Sequence, residues 1–597
     1  MCTFKHCGKN LPSLVKRGYR LLAMLLVLTS IPAQGFCTKP EDQNSDYAFY
    51  NKNGKIYYVN TKDPKNLKET PLTSGEKQLP EKNASERPGN DVVLVPGKQA
   101  AVFFEDLNSS HDNALYYKSL NKKETALLID DKVNDYIVSK DGKHLLYTKG
   151  EAHSLFLWDF DSKQGNALGE NVRHYEFSKE GASLIFIQKD ALYAKSRGKK
   201  AEKVAQDVDH IHYFNEDATD FLYSKAETLY SNKKGREEKI SDNAFILKIF
   251  DSGRGYFLSK SKDLSFKDII DVDVPAEGAK KDIFSYGNAP EEILRWWTVH
   301  SLWYFDGTTA TKVSDRYFWW QSGIMPEIYT SFYIAEDKEE IIFEEIIFEE
   351  IDLDKIKKIP LSQIKDLDDF HNKAERIEGE FGFVVANRDK VRELPLKAKD
   401  IQEGSTFLSS DGTKLWSLRN FDSQRRLADL YLLTVKEEGI SEPKLIASKV
   451  LSDSPMVLGN SGSLRFPKES GEAELYFKLN NSKTKDVVLN GKSIDRVSHV
   501  GSSGHIYDNA TQSLLYFTNE KGSKSTLKLY RDKKARTVAK DVAEAHFIKN
   551  GRPIYLVEQS KKKGDGRTNY KLYLYDGNKS ILISKDVENL YPTSIRY

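Results

Sequence analysis

The chain has 597 residues, with 90 Lys plus Arg against 88 Asp plus Glu, a formal net charge of +2 and 11% aromatic residues. The two signs are interspersed, so there is no concentrated basic face of the kind that displaces counterions, and nucleic acid is excluded as a partner. With 3 cysteines, at positions 2, 7 and 37, neither a disulfide framework nor a Cys-based metal site can be built.

The first element is a basic start. Lys5, Lys9, Lys16, Arg17 and Arg20 precede the apolar run Leu21 to Ile31 and the triplet Ala33-Gln34-Gly35, the pattern of an export signal over 1–35. The run is shorter than the roughly 20 residues of a spanning helix, and no later segment approaches that length. The expectation is an extracytoplasmic protein, secreted or at the cell envelope, with no membrane span in the mature chain. Cys37 is a candidate lipid anchor, although Phe36 and Gln34 stand where a lipoprotein signal wants a small residue and Leu.

From residue 48 a phrase recurs: an Asp-Val or near-equivalent, an apolar run, a Gly turn, a second run ending in Tyr, and a third. Clear copies are NDYIVSKDGKHLLYTKGEAHSLFLWDF (134–160), STFLSSDGTKLWSL (405–418) and YKLYLYDGNKSILISKDV (570–587). Successive junctions Val133, Val172, Val208 and Phe245 are 39, 36 and 37 residues apart, and Val450, Val497, Val542 and Val587 are 47, 45 and 45 apart. That is the length of a four-stranded propeller blade, and a unit so small must bury its apolar face on its neighbours. Runs such as Leu145-Leu146-Tyr147 lack polar alternation, as expected of strands covered on both faces. Asp141-Gly142 and Asp411-Gly412 supply the positive φ of tight hairpin turns.

The fold class read here is all-β, built of β-propeller repeats. Roughly eleven blades can be assigned and one ring holds about four to eight, so two rings are expected, at 36–317 and 318–597. The N-terminal piece 48–72 resembles an incomplete blade, and the final strand 588–597 is expected to complete it.

Between about 260 and 400 the spacing fails. The stretch 266–297 has no clean period, and its Asp271-Val272-Asp273 lacks the Gly and downstream Glu of a calcium loop. SLWYFDGTTATKVSD (301–315) is a blade fragment. Then 336–376 is expected to be a short helical insertion, because Phe343, Ile347 and Ile351 fall four apart beside a second row of Ile342, Ile346 and Leu353. It packs on the propeller flank or docks a partner. Five of the 7 tryptophans, Trp296, Trp297, Trp303, Trp319 and Trp320, crowd into this region. Trp296, Trp297, Trp319 and Trp320 are the candidate binding residues, since aromatic faces on loops suit sugars and peptides; the competing reading makes them the private core of the insertions.

Ser139-Lys140-Asp141-Gly142-Lys143 with Leu155 to Asp159, and Ser409-Ser410-Asp411-Gly412 with Leu430-Tyr431, resemble the blades of TolB-type and WD-repeat-like extracytoplasmic propellers, though each lacks their proline. The likeness spans about 130–245 and 400–587 and extends to propeller proteins that Gram-positive bacteria export. It implies an envelope protein that binds other proteins or ligands, and no active site carries over.

No catalytic constellation is found. Gly459-Asn460-Ser461-Gly462-Ser463 lacks the last Gly of a nucleophile elbow, and Gly491-Lys492-Ser493 lacks the first Gly of a phosphate loop. His210 and His212, two apart on a strand, share a face but lack a third ligand, so no metal and no cofactor is assigned. The reading is an exported, non-catalytic binding protein presenting a propeller surface to a protein, peptide or glycan. Its rivals are a glycan-cleaving enzyme with its acid and base on propeller loops, and a structural surface repeat protein.

Overall fold

The computed structural model describes residues 46–52, 55–72, 92–105, 113–259 and 297–321 and, with breaks, 328–346, 381–397 and 406–591. The export signal 1–35, Cys37, the turn Asp411-Gly412 and the calcium-like triplet 271–273 lie outside the described residues.

Every named element is a β-strand, and every strand pair is antiparallel. Taken in chain order, the pairings resolve into eleven four-stranded units among the described residues. Some units stand alone, such as Val172–Phe177, Ser183–Gln188, Ala191–Ser196 and Glu202–Ala205. Others share a strand. Leu127–Val138 pairs through its first half with Asn113–Ser119 and through its second with His144–Lys149, making it the fourth strand of one unit and the first of the next. Lys534–Ile548 and Ser580–Tyr591 do the same, and Ala310–Gln321 and Lys444–Leu451 are shared through a single residue pair each, Tyr317↔Glu345 and Val450↔Lys478. These are propeller blades.

The recurring Asp-Val has a backbone cause. At seven handovers from one blade to the next, the residue before the new strand is left-handed: Lys132, Asn171, Asp207, Asn243, Lys449, Asp541 and Asp586, with φ between 47° and 60°. Asn and Asp tolerate that region best among residues with a side chain, which is why they recur. The next residue is Val133, Val172, Val208, Ala244, Val450, Val542 or Val587, and each of these valines is at most 4% exposed. The junction therefore couples a forced kink to an apolar anchor. Lys132 and Lys449, both exposed, occupy the kink at a cost. Lys449→Asn is expected to stabilise by about 0.5–1 kcal/mol and Asp541→Val to destabilise by about 1–2 kcal/mol. Thermal melts of the two variants check the pair, and equal shifts would refute the assignment.

Packing explains the continuous apolar runs. In Ser183–Gln188, Leu184 and Phe186 join Leu146 and Leu155 of the preceding blade. Ile185 and Ile187, on the other side, join Val208 and Tyr223 of the following one. Each second strand is thus buried on both faces. The same pattern carries the first blade onto the second, and so on to the seventh, through shared clusters. The eighth to eleventh blades are linked likewise. The seventh and eighth adjoin where Tyr333–Ala335 meets Thr406–Leu408 and Lys390–Lys397 meets Gly439–Ile440.

The two ends of this series meet. Ser580–Tyr591 pairs with Tyr47–Lys52 in the register Phe49↔Tyr591, Tyr50↔Leu590 and Lys52↔Val587, and Ala48, Tyr50 and Val59 pack with Leu572, Val587 and Leu590. Residues 592–597 lie outside the described residues. Two rings are not confirmed by this order: among the described residues no consecutive blades are parted, and the 317/318 boundary falls inside the continuous strand Ala310–Gln321.

The helical insertion is corrected in part. Glu340–Ile346 is a strand, paired with Phe381–Asn387 and Tyr333–Ala335, while 347–376 lies outside the described residues. Its Ile341 is fully buried beside Tyr256, Leu258 and Tyr304 of the sixth blade. A β-rich segment with a buried edge to fill follows its tertiary surroundings rather than its four-residue spacing.

A polar device recurs at the blade faces. Tyr147 donates to Asp130 at 2.9 Å and Lys149 pairs with the same carboxylate at 2.6 Å. Tyr50 and Lys52 treat Glu69 likewise, at 2.7 and 2.9 Å, as do Tyr223 and Lys225 with Glu237, and Tyr516 and Lys528 with Asp495. Buried phenols need a partner, and the lysine brings a second donor to the same carboxylate. Burial would raise Glu69, but hydrogen bonds from Ser584, Tyr50 and Lys52 and the Lys52 charge outweigh it and hold the carboxyl below its usual range.

Candidate functional site

Four of the five clustered tryptophans, Trp297, Trp303, Trp319 and Trp320, sit on one hairpin. Trp297–Phe305 pairs with Ala310–Gln321 and, through residues 301–305, with the second strand Gly255–Ser259. The ribbon extends through 297–300, paired with 317–320. In this extension Trp297 stands opposite Trp320, and Thr298 opposite Trp319. A short third strand, Ile328–Tyr329, adds to the other edge and places Tyr329 opposite Trp320. Trp297, Trp320 and Tyr329 thus occupy one register level across three adjacent strands. Trp296 lies outside the described residues, as do the side chains of Trp297, Trp319 and Trp320.

Trp303 is different, because it belongs to the blade proper. It is half-buried, stacks on Phe257 with ring centroids 6.3 Å apart, and has the Lys312 ammonium 5.8 Å from its ring. A residue that sequence reasoning missed ties this region down. Glu339, 8% exposed, accepts from Arg254 at 2.7 Å and Tyr304 at 3.0 Å, and its carbonyl accepts from Tyr256 at 2.7 Å. No local spacing links residue 339 to residues 254–304, so nothing in the sequence announced it.

His210 and His212 both adjoin Ser224, which stands opposite His210 in the strand pairing. A register shift between Ile211 and Tyr213 makes His212 a bulge, with Nε2 2.9 Å from Ser224 Oγ, while His210 is exposed. Burial, followed by the His210 charge, lowers the His212 pKa to about 4. Bulges recur on the first strands of other blades, at Asn134, Arg173, Leu247 and Ala543. Two of these strands carry an imidazole beside a carboxylate: His174 with Glu176 at 3.6 Å, and His546 with Glu544 at 2.7 Å. Among the described residues, no group of three or more His, Cys, Asp or Glu side chains stands close enough to hold a metal ion.

The two motif-like strings are hairpin turns. Gly459 pairs with Gly462, and Leu489 pairs with Lys492 around Asn490 and Gly491, both at positive φ. No helix among the described residues is long and apolar enough to cross a membrane.

No known family matches the sequence, and no curated protein matches it. Among solved structures, a eukaryotic initiation factor is similar at 10% identity and a TM-score of 0.34, over 83% of this chain and 96% of that one. Dipeptidyl peptidase 4 of Porphyromonas gingivalis is similar at 11% identity and a TM-score of 0.30, over 84% of this chain; this chain spans 60% of that protein's length. TolB of Acinetobacter baumannii is similar at 13% identity and a TM-score of 0.21, over 43% of this chain and 66% of that one. The propeller assignment rests on the strand pairing rather than on these likenesses.

Proposed function

We propose that the protein is exported and acts as a non-catalytic binding protein, taking a protein, peptide or glycan on the aromatic ribbon of the sixth blade. The observation that carries this is the single register level shared by Trp297, Trp320 and Tyr329 across three adjacent strands. Aromatic residues offer large contact area with few rotatable bonds, so a row of them binds flat apolar faces at low entropic cost. Export rests on the basic start and apolar run of 1–35.

Trp297→Ala and Trp320→Ala are expected to weaken binding to immobilised glycans or peptides at least about tenfold while stability stays within about 1 kcal/mol. Unchanged binding with a loss of about 3–5 kcal/mol would make these rings the private core of the insertion and sink the proposal.

A further inference from the structure

Several surface cations find acids: Lys140 meets Glu180, Arg197 meets Asp141 and Arg496 meets Asp486, at 2.9, 2.6 and 2.8 Å. One hairpin gathers three cations, of which Arg531 also feels the carboxylates of Asp508 and Asp532. Lys524–Arg531 turns through Asp532 and Lys533, both at positive φ, into Lys534–Ile548, so that Arg531 stands directly opposite Lys534 and Leu529 opposite Arg536. Like charges directly opposite repel. Lys534 and Arg536 lie two apart, on the same face of the strand. Both are exposed, and neither has an ion pair or hydrogen bond among the described residues.

These three cations line a cavity of about 260 Å³ together with Leu529 and one carboxylate, Asp532. Its far wall is Gly577 and Asn578, from the corresponding turn of the next blade. Arg531 is held in place. Its Nε donates to Ser513 at 2.6 Å and its Nη2 to Thr511 and to the Gly551 carbonyl. The N–H groups on Nη1 are not used by these bonds, and a fixed guanidinium with spare donors favours planar or tetrahedral oxyanions.

We propose that this cavity between the tenth and eleventh blades binds a tetrahedral oxyanion, a phosphate either free or as an ester on a larger ligand. The anion relieves the Arg531/Lys534 repulsion and takes hydrogen bonds from Arg531, Arg536 and the Asn578 amide.

Calorimetric titration of the purified full chain with inorganic phosphate, against sodium chloride at equal ionic strength, tests it. Saturable binding and a raised melting temperature in phosphate alone are expected. The double change Lys534→Ala with Arg536→Ala, on exposed positions, should weaken binding at least about tenfold. Lys534→Glu, which supplies the missing negative charge, should raise the melting temperature without phosphate and cancel the phosphate effect. Titration with glycerol 2-phosphate separates the sources: tighter binding than phosphate points to an ester, weaker binding to the free ion, and either upholds the site. A phosphate response no larger than that of chloride, or one retained by the double variant, overturns it.

Discussion

Deleting residues 587–597 is expected to leave a chain that aggregates or melts far below the intact protein. The deletion removes the strand half that completes the first blade, taking out Val587 at 0% exposure and Leu590 at 5%. Losing those two side chains from the core costs about 3–6 kcal/mol, and the backbone edge of Tyr47–Lys52 is left open to other chains. Deleting only 592–597 leaves the paired residues in place and should cost much less. Leu590→Asp, which keeps the backbone, should reproduce most of the loss by placing a carboxylate in the cluster of Ala48, Tyr50 and Leu574. Calorimetry of the three variants decides it; a 587–597 deletion that melts like the full chain would mean that this strand is not needed for closure.

Acid should destabilise the protein through His212. Its folded pKa of about 4 lies below the unfolded value of 6.5, so the unfolded chain binds the proton first as pH falls. The stabilisation is therefore complete above about pH 6.5 and is lost progressively as pH drops toward 4, for a total of about 3 kcal/mol. Glu69 and Glu237, whose folded carboxyls lie below their usual range, extend the loss further into acid. His212→Gln, able to keep a hydrogen bond to Ser224, should flatten the slope between pH 6.5 and 4 and leave the more acidic limb unchanged. Denaturant melts across that range measure it, and a slope as steep in the variant would remove His212 from the account.

What the sequence made legible was local and repeated. The Asp-Val spacing located left-handed kinks at Asp207, Asp541 and Asp586, because few residue types tolerate that backbone and few satisfy the buried position beside it. Runs such as Leu145-Leu146-Tyr147 announced strands covered on both faces. What failed was set by distant neighbours. Residues 340–346 carry both a four-residue spacing and a strand-forming composition, and Tyr256 and Tyr304, far away in sequence, decide between them by burying Ile341. The bulge at His212 is set by the pairing with 220–225, and no residue type marks it. The carboxylates that receive Tyr50, Tyr223 and Tyr516 sit at three different sequence offsets, so no motif reports them. For the tryptophans, crowding was visible but the cross-strand row was not. Register depends on where the 310–321 strand turns, and Tyr329 joins the row from outside the cluster.

The meeting of the two ends also orders events in time. Ser584 reaches Glu69 across 515 residues of chain, and Tyr50 bonds the same carboxylate. During synthesis the first blade to emerge is the last to be finished, since its missing strand is made at the end. Until then one edge of Tyr47–Lys52, the other being paired with Lys55–Asn60, waits as an open template, and the contact that closes it is among the least local a chain can make, hence among the slowest. A protein with this wiring benefits from staying unfolded until it is whole, which is the condition in which a chain threads through a membrane pore.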